Sequence, residues 1–259
     1  MIDMWLSLPL PSLILCLAGF YSASALLLIF LCFGRLTGAW VQSFKGVVPP
    51  YFAGIVVVLG ILVGFLASDV WDRNRRASGA VRSEAASLIS LHDLVFASGQ
   101  PNAGINHAIR AYVSAVVGTE WPSMVHGEAS PEAEVEQDEL LRLVARSGSV
   151  PNGGPELDRL LLNVALKIRD ARNERLNLSA DYSGNFKWMS VLLFALVAQV
   201  SVAVVHLERA RPNIAAMVIF TSGIVIVLGL LAIHEHPFSP PLSVSPEPIA
   251  RLLKIVPND

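Results

Sequence analysis

The residues with reactive or charged side chains fall into few patterns that could do chemistry. Glu84 and Glu120, with Arg169, Arg172 and Arg175, stand in a segment of helical periodicity. The three arginines recur every three residues, which predicts a shared helix face. Such a set makes ion pairs between helices, as a structural network or as a ligand-binding one. His234-Glu235-His236 invites a metal reading. Residues two apart on a helix point in different directions, so the string predicts a cap or headgroup contact and no metal site. Cys16 and Cys32 both lie in the first apolar run and form neither a disulfide framework nor a zinc pattern. No catalytic residues are identified: there is no Gly-rich phosphate loop, no His-Glu-x-x-His and no Gly-x-Ser-x-Gly. The expectation is a chain that is not an enzyme and carries no cofactor.

The elements that must position these residues are set by hydropathy. The chain has 259 residues, 53% of them hydrophobic and 15% charged, against about 25% charged in a soluble domain. Residues 72–187 hold 28 of the 40 charged residues, so the flanks are nearly bare. A net charge of −2 argues against a nucleic-acid partner. Tyr51 to Ser68 is eighteen residues without a charge, closed by Asp69 and an arginine cluster. This is the length of a transmembrane helix. Leu13 to Phe33 is a second such run, read as a retained first span.

The expected fold is all-α: a membrane protein with four transmembrane helices and a helical bundle insert between the second and third. An N-terminal hairpin occupies 1–71, with spans at 13–33 and 51–70. The polar helical insert is 72–187. A C-terminal hairpin occupies 188–234, with spans at 188–206 and 214–233. A proline-rich tail, 235–259, follows with one short helix at 249–256. Within the insert, Val81, Ala85, Leu88, Leu91 and Val95 predict that the second span continues unbroken to 97. Further helices are predicted at 103–118, at Leu140–Val144 after an acidic stretch, and at 156–180. Loops are expected at 98–102 and 147–155.

The second span carries the most suggestive pattern. Gly54, Gly60 and Gly64 favour close helix packing through small residues. The competing reading has the helix packed round a symmetry axis, presenting Val57, Ile61 and Phe65 as a hydrophobic constriction. Asp69 is then a pore-lining candidate, or else a partner for Arg73 at i+4. Arg73, Arg75 and Arg76, beside Trp71, read as interfacial anchors or as a basic ring at a pore mouth. The charge count conflicts with itself, and with long loops discounted it leans weakly to an extracytoplasmic insert. Arg35, Lys45, Arg209 and Arg211 favour the connectors inside, while Arg73, Arg75, Arg76, Arg82, Arg169, Arg172, Arg175 and Lys187 favour the insert inside.

Several strings resemble the bestrophin-like family of bacterial four-helix membrane proteins. They are Trp71 followed by Ala77, Val81, Glu84-Ala85 and Leu88; Tyr112-Val113 and Val117 leading to Glu120-Trp121-Pro122-Ser123-Met124; Arg169-Asp170-Ala171-Arg172-Asn173-Glu174-Arg175-Leu176; and His236-Pro237-Phe238 with Val244-Ser245-Pro246-Glu247-Pro248. The chain departs from that pattern at Pro240, where the family has glycine, and at Glu235, where it often has aspartate. By distant likeness to bestrophins, the resemblance implies an oligomeric, anion-preferring ion channel. It also implies a second helix lining the pore, a pentameric homo-oligomer, inorganic anions as partners beside membrane lipid, an insert in the cytoplasm and a bacterial inner membrane. The alternative is a non-conducting membrane scaffold or sensor whose insert binds a partner.

Overall fold

An apolar run of about twenty residues is stable in lipid as a helix, because the helix satisfies its own backbone polar groups. The computed structural model describes residues 2–6, 8–35, 37–44, 46, 49–97, 103–146, 154–180 and 184–256. It is helical with no strand among these residues. Helices α1 (Ile2–Leu6), α2 (Leu10–Phe33), α3 (Gly38–Val41), α4 (Pro49–Ala97), α5 (Ala103–Ala115), α6 (Trp121–Met124) and α7 (Pro131–Ala145) are followed by α8 (Gly154–Ala180), α9 (Asn185–Val205), α10 (Ala210–Ile233), α11 (Glu247–Ala250) and α12 (Leu252–Ile255). Four helices are long and apolar enough to cross a membrane, namely α2, α4, α10 and the one ending at Val205. Lys45 and most of the loops expected at 98–102 and 147–155 lie outside the described residues.

The chain divides into two compact units. The first is Met1–Trp71 with Tyr182–Glu235, and the second is Asp72–Asp181 with His236–Asp259. Helix α4 contributes to both. Its 49 residues rise about 1.5 Å each, more than twice the span of a hydrocarbon core of about 30 Å.

In the first unit, α2 and α9 run the same way. The Tyr21 hydroxyl donates to the Leu192 carbonyl at 2.9 Å, and the Ser24 hydroxyl donates to Gln199 Oε1 at 2.6 Å. The fully buried Gln199 amide donates to the Tyr21 carbonyl at 3.0 Å and to Thr221 Oγ1 of α10 at 2.9 Å. One side chain thereby ties three apolar helices together, where lipid offers no competing hydrogen bond. Helix α2 stops at Gly34, where a Cβ would collide with the Phe30 carbonyl oxygen. The Thr37 hydroxyl donates to the Leu31 carbonyl at 2.9 Å and closes the end.

The second unit packs the 72–97 part of α4 with α5, α7 and α8. Val81, Leu88, Leu91 and Val95 bury against Ile105, Ile109, Val113, Leu140, Val144, Leu161 and Ile168. After α5 the chain makes one π-helical turn, Val116–Glu120, and continues into α6. That turn holds an extra residue and changes which later side chains face inward. Glu120, which ends the turn, and Met124 beyond it are buried. The acidic stretch expected to precede the third insert helix instead forms its first turns. Ser130 Oγ accepts from the Ala133 amide at 3.4 Å, Pro131 occupies the first turn, and Glu132 and Glu134 stand at the positive end of the helix dipole. The tail completes this unit. Phe238 packs edge-on to Trp121, Ile249 and Leu252 are buried, and Arg110 donates to the Leu253 carbonyl at 2.8 Å.

Candidate functional site

Two groupings stand out, one in each unit. The first is on α4. Leu59, Leu66 and Val70 bury against the rest of the first unit. The opposite face is bare. Val57, Ile61 and Phe65 are 61%, 53% and 71% exposed, and Gly54, Gly60 and Gly64 are exposed with them. A Cβ built on any of these glycines meets nothing within 4 Å. Among the described residues, then, no neighbouring helix packs on the glycine face. Asp69 is half-buried and pairs with Lys187 of α9 at 2.7 Å. That partner lies more than a hundred residues away and gave no local signal. At the same end of this unit, His234 packs its ring on Trp71 at 4.7 Å and places Nδ1 2.9 Å from the Leu230 carbonyl. Among the described residues, no three His, Cys, Asp or Glu side chains are placed to hold a metal ion.

The second grouping is a buried charge cluster in the second unit. Arg175 Nε lies 2.7 Å from Glu84 Oε2, and its Nη2 lies 3.1 Å from Glu84 Oε1 and 2.8 Å from Glu120 Oε1. Its Nη1 donates to Met124 Sδ at 2.7 Å, and its guanidinium stands 5.3 Å above the Trp121 ring. Arg172 reaches both oxygens of Glu120, with Nε at 3.1 Å from each and Nη2 on Oε2. Arg172 Nη1 donates to Gln137 Oε1 at 3.0 Å. The Tyr112 hydroxyl donates to Glu84 Oε1 at 2.6 Å. Two carboxylates face two guanidiniums, so the charges cancel where water is excluded. A buried pair of this kind holds only when its remaining donors and acceptors are also satisfied.

The electrostatics follow from this geometry. Burial opposes the charged form of Arg175, but the charge and hydrogen bonds of Glu84 outweigh it and hold the guanidinium above its ordinary range. Arg172 is held up in the same way, burial being overcome by Glu120. Burial, reinforced by the Glu84 charge, pushes the Tyr112 phenol well above its usual value.

Four of the five charges expected to form a network in the insert meet here. Arg169 does not. Steps of three residues fall short of a 3.6-residue turn, so over six residues the face rotates by about 120°. Arg169 is exposed, with Asp170 at 3.8 Å. Sequence reading also missed Tyr112, Gln137 and Met124 as partners. Of the arginines at the start of the insert, Arg73 is buried, whereas Arg75 pairs with Asp72 at 3.1 Å and Arg76 with Glu174 at 2.6 Å on the surface.

Comparison with known proteins covers nearly the whole chain. The Bestrophin-like domain model matches residues 19–249. No curated protein matches the chain. Among solved structures, a bacterial bestrophin homolog from Klebsiella pneumoniae is similar, with a TM-score of 0.61 and 12% identity. The match covers 94% of this chain and 98% of that one. At that identity the likeness is one of fold. The family match, the four long apolar helices and the shared fold have one conclusion: this membrane protein belongs to the bestrophin-like family.

Proposed function

We propose that the chain is one subunit of an oligomeric, anion-preferring membrane channel, with the exposed face of α4 turned toward a shared axis. The observation that supports this reading is the bare face itself. From Pro49 to Ser68 the helix carries no charge, and one side of it bears three glycines that the described residues leave uncovered. Glycine lowers helix propensity by about 1 kcal/mol relative to alanine. A helix that only faced lipid would gain nothing from three of them, whereas close approach between copies of α4 needs them. Val57, Ile61 and Phe65, one turn apart, then form rings that narrow the path and dewet it.

Chloride efflux from liposomes containing the purified protein tests the reading. The wild type should pass chloride, Phe65→Ala should raise the flux, and Gly60→Leu should reduce it at least tenfold. Absence of flux in both the wild type and Phe65→Ala would end the channel reading and favour the scaffold or sensor.

A further inference from the structure

One end of the first unit gathers two connectors that are far apart in sequence. Cys32 near the end of α2, Val41 on α3, Leu207 after α9 and Met217 on α10 belong to one apolar cluster. Val41 fixes the inner side of the short α2–α4 connector against this cluster. The outer side carries Trp40 and Phe44, 70% and 50% exposed, in edge-to-face contact at 5.3 Å. Arg35 is exposed on the same connector; Arg209 on the other connector and Arg211 in the first turn of α10 are exposed as well, with Glu208 as the acid between α9 and α10.

An exposed indole and phenyl are unfavourable in water and favourable at the boundary between acyl chains and headgroups. The connectors join the ends of helices that are long and apolar enough to cross a membrane. Three guanidiniums against one carboxylate make the surface complementary to anions, and a guanidinium matches a phosphodiester with two parallel hydrogen bonds. We propose that this end of the first unit is a binding surface for anionic phospholipid headgroups, with Arg35, Arg209 and Arg211 on the phosphates and Trp40 with Phe44 seated in the interface beside them. This assignment does not depend on the channel reading.

The test uses the full chain in nanodiscs of phosphatidylcholine with a quarter phosphatidylglycerol, and native mass spectrometry to count the lipids retained. The wild type should retain phosphatidylglycerol over phosphatidylcholine. The attraction of one basic residue to an anionic surface corresponds to about fivefold in affinity. Replacing all three arginines by glutamine should therefore lower the preference at least tenfold, while Arg159→Gln on α8 leaves it unchanged. Trp40→Phe should lose a part of the tryptophan fluorescence quenched by lipid brominated near the headgroup. The assignment is overturned if the wild type shows no preference for phosphatidylglycerol. It is also overturned if the triple variant keeps that preference, or if Trp40→Phe loses no quenched component. Circular dichroism that matches the wild type confirms that each variant is folded.

Discussion

At the scale of single residues, the sharpest feature is the neutral cluster of Glu84, Glu120, Arg172 and Arg175. Its members support one another, so losing one strands the others. Arg175→Met should cost about 3–5 kcal/mol, because Glu84 and half of Glu120 are left buried without a cation. Arg169→Ala should stay within about 0.5 kcal/mol, as expected of an exposed side chain. Chemical denaturation of the purified protein, followed by circular dichroism, separates the two. Tyr112 adds a pH dependence. Its folded pKa is raised above the ordinary phenol value of 10.0. The folded state therefore keeps its proton where the unfolded state releases it, and stability must fall as pH rises through 10 and above. Tyr112→Phe should flatten that alkaline loss; an unchanged slope would remove Tyr112 from the account. The sequence made the charged members legible, because charges set among apolar helical positions need partners. It hid Tyr112 and Gln137, whose partners lie 28 and 35 residues away. The every-third-residue spacing also misled at Arg169, where helical rotation carries the side chain out of the cluster.

At the scale of elements, local signals served well where the chemistry is local. The apolar periodicity from Val81 to Val95 predicted that α4 runs unbroken to Ala97, and it does. The start of α7 was obscured by composition: six acids between 127 and 139 read as a polar stretch. Ser130, Pro131 and the dipole make them a stable first turn. Ser130→Ala should cost about 1 kcal/mol in the same denaturation assay. The π-helical turn before α6 had no such local signature. Its consequence is visible only in where Glu120 and Met124 point. The glycines divide by role. Gly34→Ala should destabilise the subunit, since its Cβ meets the Phe30 carbonyl oxygen. Gly64→Leu adds a side chain whose Cβ meets none of the described residues within 4 Å. Its effect should appear as a smaller assembled fraction by mass photometry. Full assembly of that variant would show that the glycine face takes no part in contact between subunits.

At the scale of the whole molecule, long uncharged runs made the all-α membrane class legible before any coordinates, because lipid leaves such runs few alternatives to a helix. What covers the bare side of α4 was not legible. A face that buries against a second copy and a face that meets lipid have the same local periodicity. The described residues of a single chain leave Val57, Ile61 and Phe65 uncovered in either case. Whether α4 lines a pore depends on how its copies are arranged, and cryo-electron microscopy of the purified protein in nanodiscs tests that arrangement most directly. The predicted result is a closed ring in which Gly54, Gly60 and Gly64 meet the neighbouring subunit and Phe65 faces a central axis. A monomer, or an assembly in which α4 turns Phe65 to lipid with no axial gap, would contradict it.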